Sequence, residues 1–260
     1  MKPKLSKLDT AFREEAAAQY PNEACGYVVK QGKKQCFVPC SNTAANPSYE
    51  FQIDTDEYHR ASEIGEIVGV WHSHSDKTNL PSEMDLIECE NSELPWFITA
   101  VTYNDIDGFV FSETNVIEPN GYVMDYLGRP YHYGIIDCYS LVVDYYRQEV
   151  GIKVAKLSEN RNARFWEGDD PKPLMEEAYV KLGFDQLFKE EPQVGDLFLI
   201  QTGSKVANHV AIYIGGDMIL HHCEDRLSGR TIYGGYWAKH TVKHLRFPRS
   251  DQNGVNEGSP

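Results

Sequence analysis

Apolar residues recur at helical spacing at the start of the chain, where Leu5, Leu8, Phe12 and Ala16 mark one face of a helix over residues 6–19 that Pro21 ends. Tyr27-Val28-Val29 and Cys36-Phe37-Val38 read as strands joined by a turn at Gln31-Gly32. Residues 56–66 read as a helix. The short apolar strand Ile67-Val68-Gly69-Val70-Trp71 then leads directly into His72. A helix over 82–91 follows Pro81, and strands at 97–101 and 108–111 complete the first half. Residues 112–121 have linker composition. Beyond them the pattern predicts a helix over 137–150 with Asp137 as its N-cap, a long polar loop over 158–173 and a helix over 174–182. Strands follow at 196–200, 210–214 and 218–220, the last two paired through Gly215-Gly216. The expected division is a domain at 1–115, a second at 116–249 and a disordered tail at 250–260, with no internal repeat.

A chain of 260 residues suits one large or two small domains, and each half could bury its own core. Its net charge of -14 argues against a nucleic-acid partner, because phosphate binding needs the opposite sign. The six cysteines form no CxxC pair and read as reduced thiols. The chain shows no signal peptide and no apolar run of about 18 residues, so the expectation is a protein made in a cytoplasm, with no membrane span.

Candidate chemistry changes the picture at His72-Ser73-His74, followed after seven residues by Ser82-Glu83-Met84-Asp85. Two imidazoles and one carboxylate form a ligand set for zinc with one coordination position open, as in catalytic sites. Strand alternation points His72 and His74 the same way, and the helix starting near Ser82 supplies Asp85. Glu23, in Pro21-Asn22-Glu23-Ala24-Cys25-Gly26, is the candidate general base, and the Ser82 hydroxyl is the candidate oxyanion donor. Ser82-x-x-Asp85 is also a capping box, and one residue can serve both purposes. The whole pattern resembles the JAMM motif of MPN-domain (Mov34/JAB) metallopeptidases over residues 1–115. The resemblance implies an α/β fold, a Zn2+ ion on His72, His74 and Asp85, Glu23 as base and Ser82 as oxyanion donor. It also implies cleavage of peptide or isopeptide bonds.

A second set lies in the other half. Cys138 opens a helix, where the dipole favours a thiolate. His209 starts a hairpin strand, and His221 and His222 lie on the return strand. A two-residue turn would put His222 opposite His209; a three-residue turn would put His221 on the same face, diagonally placed. The run from Arg129-Pro130-Tyr131 through Asp137-Cys138 to His209-Val210-Ala211 resembles the NlpC/P60 family of papain-like cysteine peptidases over residues 120–248. That resemblance implies an α+β fold, Cys138 as nucleophile, His209 as base and His221, twelve residues on, as the third polar residue. Tyr131 matches a tyrosine near that family's active site, and the implied substrate is a cell-wall peptide, often cut between D-glutamate and a diamino acid. The family's usual Asp-Cys-Ser-Gly is Asp-Cys-Tyr-Ser here.

The expected fold class is therefore α/β plus α+β in two domains. The fusion is similar to a family of phage tail assembly proteins. It implies a bifunctional hydrolase with tail-tip proteins as partners and peptidoglycan peptide as substrate, working in the host bacterial cytoplasm and at the virion tail tip. The alternative is a catalytically silent scaffolding factor.

Overall fold

A computed structural model describes residues 6–152, 154 and 164–248. The tail expected at 250–260, and residues 158–163 of the expected loop, lie outside the described residues. The chain divides into two compact units between Val123 and Met124.

In the first unit, Ser6 and Asp9 form a reciprocal capping box that starts α1 (Lys7–Gln19), and the helix buries Phe12 and Ala16. β1 (Cys25–Gln31) and β2 (Lys34–Cys40) form a hairpin. α2 (Thr55–Ile64) is capped by Asp54 and leads to β3 (Glu66–Ser75). α3 (Glu83–Ser92) then crosses to β4 (Trp96–Asn104), which pairs parallel to β3. β5 (Gly108–Phe111) and β6 (Asn115–Ile117) both pair antiparallel with β4. The sheet order is β2-β1-β3-β4-β5. Under it, the Phe12 and Trp71 rings stack at 4.9 Å and Phe37 meets Trp71 edge-on at 5.0 Å.

Two expectations change here. The strand does not stop before His72 but runs through Ser75, because β1 pairs with it at His72 and β4 as far as Ser75. Ser73 is tolerated inside because it is bonded: its Oγ accepts from the Ala24 N–H at 2.8 Å. The stretch expected as linker contains β6, whose three residues pair with Trp96, Phe97 and Ile98.

In the second unit, α4 (Cys138–Tyr145) has Asp137 as N-cap, with Ser140 completing a capping box. The helix expected to reach 150 instead widens into a π turn over Tyr146–Val150 and ends at Gly151, whose φ of 74° needs glycine. α5 (Leu174–Lys181) and the short β7 (Asp185–Leu187) follow. β8 (Leu197–Ile200), β9 (His209–Gly215), β10 (Met218–His221) and β11 (Gly229–Ile232) come next. α6 (Gly235–His240) and β12 (Thr241–Arg246) complete the unit. The sheet is antiparallel throughout, in the order β11-β10-β9-β8-β12-β7. One face packs on α4, burying Tyr139, Leu141 and Val142 with Leu197, Leu199, Val210 and Ile212. Asp196 joins β8 to β12. Its buried carboxylate accepts from Arg246 at 2.7 and 2.8 Å, from His244 at 2.7 Å and from the Gln193 N–H at 2.8 Å.

β7, β11, α6 and β12 have no counterpart in the apolar pattern. β11 alternates intermediate with exposed residues and β12 buries Leu245 alone, while Ile232 and Val242 face solvent, so neither carries a continuous apolar run.

Candidate active centres

In the first unit, strand alternation on β3 sends Trp71 and Ser73 into the α1 side of the sheet and His72 and His74 to the other side. There α3 meets them with Asp85 from its first turn. The His72 and His74 Nε2 atoms lie 3.0 Å apart. Asp85 Oδ1 is 3.2 Å from His72 Nε2, and Oδ2 is 3.3 Å from His74 Nε2. All three residues are buried. Tetrahedral zinc with bonds of about 2.0–2.1 Å has ligand–ligand edges of about 3.3 Å, close to each of these separations, and the carboxylate meets the two rings with different oxygens.

The surroundings prepare the ligands. His74 Nδ1 is 2.7 Å from the Thr78 carbonyl oxygen, which accepts its hydrogen and leaves the Nε2 lone pair to the triangle. Among the described residues His72 Nδ1, which is buried, has no hydrogen-bond partner; its ring is held by Phe51, stacked at 4.6 Å, and by Trp96, edge-on at 5.6 Å. Burial pushes the Asp85 carboxyl pKa up, but the adjacent His72 and His74 rings and the hydrogen bond from the Ser82 N–H outweigh it. They hold the carboxyl well below the usual range and therefore anionic.

Glu23 lies just before β1, and the register that pairs Cys25 with His72 brings it level with His74. Its carboxylate is buried and accepts from Lys77 Nζ at 2.7 Å. The Ser82 hydroxyl accepts from the Asp85 N–H at 3.1 Å and the Ser82 N–H donates to Asp85 Oδ2 at 2.7 Å, which are the two halves of the capping box; the hydroxyl also donates to Oδ2 at 2.8 Å. The sequence reading did not single out Phe51, Thr78 or Lys77. Lys77 and Thr78 fall in the unspecified stretch between His74 and Ser82, and Phe51 lies outside the motif, where folding brings it to His72.

In the second unit, a cleft of about 730 Å³ is lined by Cys138, His209, His221 and Tyr131 among others. Cys138 sits at the first residue of α4, while His209 begins β9 and His221 ends β10. A bulge at Met218 sets the register so that His221 opposes Ala211, diagonal to His209 on the same face. His209 Nε2 and His221 Nδ1 are 3.1 Å apart; the turn is the two residues Gly216-Asp217, and the bulge rather than a longer turn brings His221 to this face. His222 points away, fully buried and edge-on to Tyr131 at 5.1 Å. Cys223, also not singled out, returns to the imidazole face with Sγ 3.5 Å from His221 Nδ1. The cue was His221-x-Cys223, two positions on one face of an extended segment.

Burial, then the neighbouring His221 and His222 rings, pushes the His209 pKa down to about 3. Burial, then His222 and Arg226, pushes His221 down to about 4. Both imidazoles are thus neutral near pH 7. The Tyr131 phenol is pushed up by burial and by the charges of Cys138 and Asp137 beside it.

Residues 5–112 match the family of prokaryotic homologs of the JAB domain, and residues 128–246 match the NlpC/P60 family. Tail tip assembly protein K of Escherichia phage N15 is 35% identical over 242 residues, covering 93% of this chain and 94% of its own length. Tail tip assembly protein K of Escherichia phage lambda is 30% identical over 189 residues, covering 73% of this chain and 86% of its own. A solved NLP/P60-family structure from Staphylococcus aureus, described as similar to lipoprotein, is 22% identical. It covers 48% of this chain and 38% of its own at a TM-score of 0.34, too loose to argue from. The described residues contain no helix long and apolar enough to cross a membrane. The chain belongs to the phage tail tip assembly protein K family, joining a JAB-like half to an NlpC/P60 half.

Proposed function

We propose that the chain is a bifunctional peptidase of a phage tail. Its first half is a zinc-dependent peptidase or isopeptidase acting during tail assembly with tail-tip proteins as partners. Its second half is a cysteine endopeptidase acting on peptidoglycan stem peptides when the tail meets the cell wall. The observation that carries this reading is that each unit gathers its own reactive set: His72, His74 and Asp85 within 3.3 Å in one, and His209 and His221 at 3.1 Å in a cleft with Cys138 in the other.

In the first half, His72, His74 and Asp85 hold zinc, which when bound supplies Lewis acidity toward a peptide carbonyl and toward water. Glu23 takes the water proton and passes it to the leaving amine. Lys77 holds the Glu23 carboxylate in place. Ser82 turns its hydroxyl from Asp85 to the developing oxyanion.

In the second half, a neutral His209 donates from Nε2 to His221 Nδ1 and keeps its Nδ1 lone pair for Cys138. His209 takes the thiol proton as Sγ attacks the carbonyl carbon, then gives it to the amine as the C–N bond breaks. Water, with His209 again as base, hydrolyses the thioester.

Complementation of a phage lacking this gene separates the enzyme from a silent scaffold. Loss of infectious particles with Cys138→Ala or Asp85→Ala supports catalysis. Normal titres with both changes would show that the role is scaffolding.

A further inference from the structure

The imidazole pair of the thiol half has a third donor that its peptidase chemistry does not use. Cys223 Sγ lies 3.5 Å from His221 Nδ1 and 3.9 Å from His209 Nε2, and those nitrogens are 3.1 Å apart. Tetrahedral zinc with bonds of about 2.0–2.1 Å to nitrogen and 2.3 Å to sulfur has edges of about 3.3 Å between nitrogens and 3.6 Å from nitrogen to sulfur. The observed triangle differs from these edges by only a few tenths of an ångström. Imidazole and thiolate together suit a borderline-soft divalent cation.

The donors are free to serve. Cys223 is in no disulfide. Trp237 meets both rings, at 5.7 Å from His209 and 4.6 Å from His221, and limits their rotation. A thiol binds such a cation as the thiolate, so binding releases its proton.

We propose that His209, His221 and Cys223 form a second divalent-cation site, separate from the His72–His74–Asp85 centre, and that zinc bound there silences Cys138. The silencing rests on the reading of Cys138 and His209 as nucleophile and base. A neutral imidazole has one lone pair. With the metal on Nε2 of His209, Nδ1 carries the hydrogen, and no lone pair remains to take the Cys138 proton. Such a site would keep the wall-cutting half quiet where zinc is available and release it where zinc is removed.

Cobalt(II) titrated into the metal-free full-length protein tests the site directly, because the first centre has no sulfur ligand. A near-ultraviolet thiolate-to-cobalt band is expected in wild type, in His72→Ala/His74→Ala and in Cys138→Ala. It should vanish in Cys223→Ser, which should still take up about one equivalent at the first centre, showing that it folds. No band in wild type, or a band that survives in Cys223→Ser, overturns the site. Zinc inhibition of D-glutamyl stem-peptide hydrolysis, scaled to each protein's own metal-free rate, tests the consequence. The half-inhibiting concentration should rise at least about tenfold in Cys223→Ser. An unchanged value refutes the silencing. A metal-free wild type that hydrolyses nothing counts against the Cys138 reading, while the cobalt band still decides the site.

Discussion

His72 and His74 meet Asp85 because a strand repeats every two residues and a helix cap places its third residue back toward its start. The same cap that starts α3 turns the Asp85 carboxylate toward the two rings. Phe51 is the weak point of this arrangement, since the His72 ring has stacking contacts where His74 has a hydrogen bond. Phe51→Ala, in a Cys223→Ser background that leaves only this centre, should weaken zinc about tenfold in a competition titration with a chromophoric chelator. An unchanged affinity would show that the ring needs no such support. At this scale the motif residues were legible from spacing alone. Phe51, Thr78 and Lys77 were not, because each comes from a loop whose path depends on the folded sheet. His221 and His222 could not be told apart because a bulge at Met218, invisible in the apolar pattern, sets the register.

Strands carry the reactive residues in both halves, so their pairing decides whether the centres form. β1 and β2 approach closely at Gly26, where a Cβ would meet the Val38 carbonyl oxygen at 2.4 Å and the Phe37 ring at 2.6 Å. Gly26→Ala should therefore cost about 1–3 kcal/mol in chemical denaturation and disturb Glu23 three residues before it. In the second unit, Asp196 ties β8 to β12 through Arg246 and His244. Burial raises its pKa, but Arg246, the Gln193 N–H and His244 outweigh that and lower it. A lowered folded-state pKa means that this stability is present above the unfolded carboxyl value of about 3.9 and is lost as pH falls through the folded value. Asp196→Asn should cost about 3 kcal/mol near pH 7, and the gap from wild type should close as melts are repeated below about pH 4. A constant gap would mean that charge is not what Asp196 contributes. Elements with an apolar run or a helical stripe were legible in the sequence. β11, β12 and α6 were not, since they are short and half-exposed and are held by neighbours rather than by their own pattern.

The whole molecule has two compact units meeting in sequence at Val123 and Met124, a few residues beyond the change of composition expected near 115. The difference arises because β6 returns to the first sheet and the Glu90 carboxylate accepts from the backbone N–H groups of Asn120, Gly121 and Tyr122. Composition alone does not reveal such a tether. On the reading argued here each unit carries its own hydrolytic centre, so His72→Ala/His74→Ala should leave the Cys138 reaction at its wild-type rate. Loss of that reaction in the histidine variant would mean that the two centres depend on each other.

The central claim, that this tail protein cuts the cell wall through Cys138, is tested most directly by mass spectrometry of peptides released from purified sacculi in the presence of a chelator. The account predicts new stem-peptide fragments from wild type and none from Cys138→Ala. Identical products from the two proteins, or none from either, would contradict it.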